Sequence, residues 1–199
     1  MSSDKTFFET ISRGYERVTI DEKGINTIEF LEATEGLIKM FDLLGSSAFS
    51  IVQNDMNGNV KKIRDRFLTN PQVNDTLQHL VEAEKGEKKR VATEGLLWLK
   101  RGLDFTAQAL RRSYDNPSEE LSVSFTKAYE GSLRAHHGML VRPVFTLAMK
   151  ACPYRKDFFS KLGPDNEQTR TQMVTWLSGL EKCVQILNTF YSQGGHDKF

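Results

Sequence analysis

VATEGLLWLKRGLDFTAQALRRSY, residues 91–114, is the stretch on which the fold turns. It reads as one long helix with an unusually apolar centre, Leu96-Leu97-Trp98-Leu99. Strand signals elsewhere are weak, and helix signals surround this one. Upstream, Asn26 followed by Glu29 has the form of a capping box. After it Phe30, Leu31, Leu37, Ile38, Phe41 and Leu44 recur at helical spacing until Gly45 stops the run. A second helix is predicted from about Ser47 to Leu68, broken by Asn70-Pro71, and a short third one from Val73 to Glu84. The charged run Glu84 to Arg90 reads as a solvated loop or helix end.

Downstream, Asn116-Pro117-Ser118 is a turn, with Ser118 placed to cap a helix continuing to about Gly138. Pro143 belongs in a first turn or at a kink of the next apolar segment, and Pro153 ends that segment. A short element, Lys156 to Leu162, precedes the break Gly163-Pro164. The last helix carries Met173, Leu177, Leu180, Val184, Leu187 and Tyr191 at steady three-four spacing. Without repeats or linkers, the chain reads as a single all-α domain over residues 1–199 with about eight helices, residues 1–25 forming an N-terminal segment.

The composition fits that reading. The 199 residues suffice for one large core, and 39% hydrophobic with 27% charged residues is an ordinary soluble balance. A net charge of +1 argues against a nucleic-acid partner, which favours a concentrated basic surplus. Cys152 and Cys183 read as two free thiols in a reducing compartment. No cysteine–histidine cluster has metal-ligand spacing, and neither a metal nor a cofactor is expected. The first 25 residues are mixed and charged, without a signal-peptide core. No apolar run approaches the ~20 residues that span a bilayer. The expected location is cytoplasmic.

One stretch is odd for a packed helix: Asn54-Asp55-Met56-Asn57-Gly58-Asn59-Val60-Lys61-Lys62. Asp55, Asn59 and Lys62 at i, i+4 and i+7 put a carboxylate, an amide and an ammonium in one row. Gly58 inside that helix costs about 1 kcal/mol relative to alanine. Such a row offers acceptor, mixed and donor groups to a polyhydroxyl ligand. From spacing alone, a solvated face with an Asp–Lys pair is the favoured reading. Trp98 taken alone reads as core, and His137 as a local feature of a helix end.

The linked stretches change this. Asp55-Met-Asn-Gly-Asn59-Val-Lys-Lys62, Thr69-Asn70-Pro71, Leu97-Trp98-Leu99-Lys100-Arg101-Gly102-Leu103, Lys127-Ala128-Tyr129-Glu130, His137-Gly138 and Pro153-Tyr154-Arg155-Lys156-Asp157-Phe158 occur in one order. Together they resemble the glycolipid transfer proteins, over nearly all of Gly45 to Phe159. The resemblance implies a two-layer helical sandwich enclosing a lipid tunnel, a monomer, and non-enzymatic transfer of glycosphingolipids, simple glycosylceramides among them, between membranes. It gives Trp98 the role of stacking on the first sugar. Asp55, Asn59 and Lys62 become the residues that hydrogen-bond that sugar, with Asp55 also taking the ceramide amide N–H. His137 becomes the donor to the amide carbonyl. Leu37, Phe41, Phe105, Leu133, Phe145 and Met149 are the tunnel candidates, with plain core packing as the competing reading of each.

Membrane contact falls to Met139, Lys150, Tyr154, Arg155 and Lys156, where cations, with Lys161, flank an apolar-aromatic segment holding Phe158 and Phe159. The protein is thus expected at membrane surfaces transiently. The chain departs from some relatives at Met139, where they carry an aromatic residue, and in its tail, where they place a tyrosine against the ligand; Phe199 is the residue here that could stand in. A sibling branch carries phosphorylated ceramide and uses extra cations; Asn59 and Trp98 keep the sugar pattern, while Arg101 keeps that alternative open. A hydrolase built on Asp55 and His137 lacks a nucleophile elbow, a metal motif and a second placed carboxylate. A glycolipid sensor or adaptor would use the same site as a carrier.

Overall fold

The structure, a computed structural model, describes residues 5–198. Its eight α-helices among the described residues form the two-layer helical architecture expected. The N-terminal arm precedes them as two 3₁₀ turns and a minimal antiparallel hairpin, β1 (Ile20–Asp21) with β2 (Gly24–Ile25). The arm is not loose: Phe8, Ile11 and Tyr15 join the same core as the helices.

Helix α1 (Thr27–Met40) starts at the expected cap, where the Asn26 side chain accepts from the Glu29 N–H at 3.1 Å. The second half of the box is not made. The Glu29 carboxylate instead accepts from the Thr19 N–H at 2.6 Å, tying the arm to the helix. A 3₁₀ turn over Phe41–Leu44 ends at Gly45, whose φ of 68° is the left-handed conformation glycine adopts without strain. Helix α2 (Ser50–Thr69) follows, and Asn70-Pro71 breaks it as predicted.

Helix α3 (Leu77–Ala83) starts four residues later than the sequence suggests. The residues before it make caps and ties instead of helix. Asn74 is buried and donates to the Arg66 carbonyl, the Asp75 carbonyl accepts from Thr27 N–H, and Thr76 caps α3 by accepting from His79 N–H. The charged run after it is a loop, but Glu84 is not solvated. It is 3% exposed and accepts from the backbone of Ala92 and Thr93 and from the Thr93 hydroxyl, capping α4 (Val91–Asp115) from a distance.

Helix α4 is the axis of the fold and packs against α2, α5 and α8. Its approach to α2 is set at Gly95, where a Cβ would stand 3.2 Å from Lys62 Cβ and Cδ. Helix α5 (Leu121–Gly131) is shorter than expected. Glu120, not Ser118, precedes its first turn, and Ser132 leaves helical geometry while its hydroxyl donates to the Ala128 carbonyl. A 3₁₀ turn over Leu133–His136 then delivers His137 in extended conformation, so the two histidines are not helix neighbours. Helices α6 (Val141–Lys150, Pro143 in its first turn) and α7 (Arg155–Leu162) precede α8 (Glu167–Gly194), whose Trp176 meets Phe8 and Tyr15 of the arm.

Candidate functional site

The polar row on α2 is a relay rather than an ion pair. The Asn59 amide donates to Asp55 at 3.3 Å and accepts from the Lys62 ammonium at 3.1 Å. Asn59 is 3% exposed, whereas Asp55 and Lys62 lie at the surface. The buried amide thus fixes the orientation of two accessible charged groups. Although Asp55 is exposed, the surrounding protein crowds its carboxyl enough that desolvation raises its pKa above the usual range, with Lys62 pulling the other way.

Gly95 seats α4 on this row, and Trp98 stands one turn further along. Trp98 is half-buried, not core. The Arg101 guanidinium lies 4.8 Å from its ring centroid, and the His137 ring runs nearly parallel to it, at 20° and 6.3 Å. The five residues of the predicted grip therefore share one surface: the relay, the indole one turn beyond it, and the imidazole beside the indole.

Sequence reasoning missed the residue that orients His137. The Tyr129 hydroxyl lies 3.0 Å from His137 Nδ1, and Phe145 packs on both rings, 4.4 Å from His137 and 5.4 Å from Tyr129. Burial raises the Tyr129 phenol above its ordinary range against the pull of Arg134 and Arg142. Burial, then the neighbouring His136 and Arg142, hold His137 below the usual histidine range. A phenol can donate to Nδ1 of a neutral imidazole, and that tautomer would leave Nε2–H as the free donor. Nothing in the spacing of a tyrosine eight residues before the histidine marks this pairing, because it depends on how the chain turns after α5.

The apolar candidates Leu37, Phe41, Phe105, Leu133, Phe145 and Met149 are all buried. Leu37 and Phe41 border a small apolar cavity with Met40, Leu110, Phe125 and Phe158, and Phe105, Leu133, Phe145 and Met149 do not line it. Of the surface candidates, Met139 is 84% and Tyr154 74% exposed, and Lys150 and Lys156 are exposed as well. Arg155 turns back onto the protein, its guanidinium 4.2 Å over Phe159 and donating to the Ser113 carbonyl. Phe158 is core, and Lys161 donates to the Leu43 carbonyl, so the apolar-aromatic patch expected on α7 is not at the surface. The exposed apolar residues stand instead at the start of α6 and along it, with Leu140 90% and Leu147 67% exposed. Phe199 lies outside the described residues.

Residues 25–164 match the family described as Glycolipid transfer protein (GLTP). A glycolipid transfer protein of Aureobasidium melanogenum is 52% identical over 185 residues, which cover 93% of this chain and 92% of that protein. The crystal structure of HET-C2, a fungal glycolipid transfer protein, superposes with a TM-score of 0.90 at 47% identity, covering 94% of this chain and 97% of that one. The structure of FAPP2, described as selecting simple glycosphingolipids with the same fold, has a TM-score of 0.85 at 33% identity over 98% of both chains. On sequence and fold alike, this chain belongs to the glycolipid transfer protein family.

Proposed function

We propose that this protein is a one-domain carrier that moves glycosphingolipids between membranes without chemical change to them. The observation that carries the reading is the Asp55–Asn59–Lys62 relay, held open beside a half-buried indole and an oriented imidazole. In it, Trp98 takes the apolar face of the first sugar while the relay reads its hydroxyls. Asp55 takes the ceramide amide N–H, and His137 Nε2–H takes the amide carbonyl. A missing hydroxyl leaves a desolvated charged partner unpaired, which is how such a site discriminates. A single sugar together with the ceramide amide engages all five residues, so simple glycosylceramides are the expected cargo.

The hydrocarbon chains enter the seam lined by Leu37, Phe41, Phe105, Leu133, Phe145 and Met149 by parting the helices. Each CH₂ is worth about 0.8 kcal/mol in the seam and about the same in the bilayer it leaves. Uptake and delivery are then nearly balanced, and selectivity rests on the headgroup. A phosphorylated ceramide calls for clustered cations. Lys100 is buried with its ammonium on Asn188 and Arg101 lies against Trp98, which leaves Lys62 as the cation of the row. The protein works as a cytoplasmic monomer that touches membranes transiently through Met139, Lys150, Tyr154 and Lys156; no helix among the described residues is long and apolar enough to cross one.

The test is transfer of fluorescent glucosylceramide between vesicles by the protein and by Trp98→Ala. The variant is expected to keep its helical circular dichroism and to lose transfer by about tenfold, the weight of an aromatic stacking contact. Undiminished transfer by the folded variant would remove Trp98 from the grip.

A further inference from the structure

Between Glu130 and Asp157 the sequence contains no carboxylate side chain, yet it carries Arg134, Arg142, Lys150, Arg155 and Lys156. In a chain whose net charge is only +1, this is a strongly one-signed segment. It also holds the most exposed apolar side chains of the described residues, Leu140 at 90% and Met139 at 84%. Met139 and Leu147 share a surface groove of about 520 Å³ with Arg134, Arg142 and Lys150. Apolar tips set among cations match a bilayer surface in which acyl chains lie beneath phosphates bearing net negative charge.

Arg142 belongs to this face and to the grip at once. Its Nε donates to the His137 carbonyl at 2.9 Å. Gly138 alone separates His137 from Met139, and the His137 ring rests on Phe145, one turn along α6 from Arg142. The backbone of the residue that faces the ceramide amide is therefore held by a cation of the membrane-facing groove.

We infer that, when this face meets an anionic phospholipid bilayer, lipid phosphate draws Arg142 away from the His137 carbonyl and so loosens the grip on the cargo. The inference rests on the transfer function proposed above and names what triggers delivery. The Arg142–carbonyl contact is a single ion–dipole hydrogen bond, whereas a phosphate offers the guanidinium a full negative charge and two oxygens for a bidentate pair, so the exchange runs toward the bilayer. In water Arg142 keeps the His137 segment in place and the cargo held. At an acidic surface that bond is lost while Met139 and Leu140 enter the headgroup layer on the other side of Gly138.

The experiment loads the protein with fluorescent glucosylceramide and mixes it with a saturating excess of vesicles, either pure phosphatidylcholine or phosphatidylcholine with a minority of phosphatidylserine. Wild type is expected to unload roughly fivefold faster into the anionic vesicles, the weight of one cation at such a surface, and added salt is expected to shrink that ratio. Arg142→Gln is expected to unload at one rate into both and to hold its cargo less tightly in solution. Lys150→Gln weakens vesicle association measured by flotation, yet at saturation keeps the wild-type ratio. Arg142→Lys, which retains the charge and a donor, keeps most of it.

A wild-type ratio of one, or a wild-type ratio in Arg142→Gln, overturns the inference and leaves glycolipid transfer standing. Failure of wild type to load glucosylceramide overturns the transfer function itself. Thermal melts by circular dichroism separate each variant from an unfolded one.

Discussion

The Tyr129 hydroxyl stands 3.0 Å from His137 Nδ1, a contact that can fix which imidazole nitrogen carries the outward-facing proton. Tyr129→Phe keeps the ring packing and removes the donor. It is expected to weaken glucosylceramide binding by roughly tenfold, the weight of one hydrogen bond of about 1–1.5 kcal/mol. Nitrogen-15 NMR of His137 should show the Nε2–H tautomer in wild type and a mixture in the variant. An unchanged tautomer with weakened binding would mean that Tyr129 acts through packing alone.

Asp55→Asn separates stability from binding. Burial raises this carboxyl above its ordinary range, with Lys62 opposing. An acid whose folded value is raised stabilises the fold only while protonated, and that contribution is lost as pH rises through the folded value. At neutral pH the ionised group costs stability, so the neutral variant should melt at or slightly above wild type. Its affinity for glucosylceramide should fall roughly ten- to hundredfold, since a charge-assisted hydrogen bond contributes about 1.5–3 kcal/mol. A lower melting temperature would show that the carboxylate stabilises the free protein.

Acid should destabilise the protein through its paired histidines. His137 is held below the usual range by burial and by His136 and Arg142, and His136 by burial and then Arg101 and Lys100. The unfolded chain then binds protons more readily than the folded one. Their contribution is complete above the unfolded value of about 6.5 and is lost as pH falls through it toward the lowered folded values. Thermal melts stepped from neutral to mildly acidic pH should show this slope. Replacing both residues with Gln should flatten it.

Gly58 offers a test with two opposed readouts. A Cβ there would meet nothing within 4 Å, so nothing in the free protein calls for glycine. Gly58→Ala should stabilise the exposed helix by about 1 kcal/mol and raise Tm by roughly 2–4 °C. Gly58 shares the face of Asp55 and Lys62, so the same change should crowd a bound sugar and lower affinity. Unchanged affinity beside the higher Tm would show that the glycine has no part in the grip.

What could be read from sequence was what depends on neighbours along the chain. Asn26 caps α1, Gly45 ends the 3₁₀ turn that follows it, Asn70-Pro71 breaks α2, and Asp55, Asn59 and Lys62 fall in a row because helical periodicity puts them there. The failures were tertiary. Glu84 looked solvated within a charged run, but it is buried because the start of α4 needs an acceptor. The helix after Asn116-Pro117 was expected to reach Gly138, yet Ser132 turns its hydroxyl onto the Ala128 carbonyl and the chain leaves α geometry there. Trp98 and His137 entered the site through family resemblance, not through spacing. Tyr129, Gly95 and Arg142 acquire their roles only when α2, α4, α5 and α6 come together, and no local pattern marks them.

The small apolar cavity bordered by Leu37 and Phe41 bears on how a bound hydrocarbon chain would affect the fold. An apolar cavity of this kind offers water no partners, so an acyl chain rather than solvent suits it. Cargo then acts as an additional piece of hydrophobic core that arrives and departs, and the fold is tied to it by mass action. A lipid that binds only the folded chain therefore raises its resistance to unfolding, the more so the further its concentration exceeds Kd.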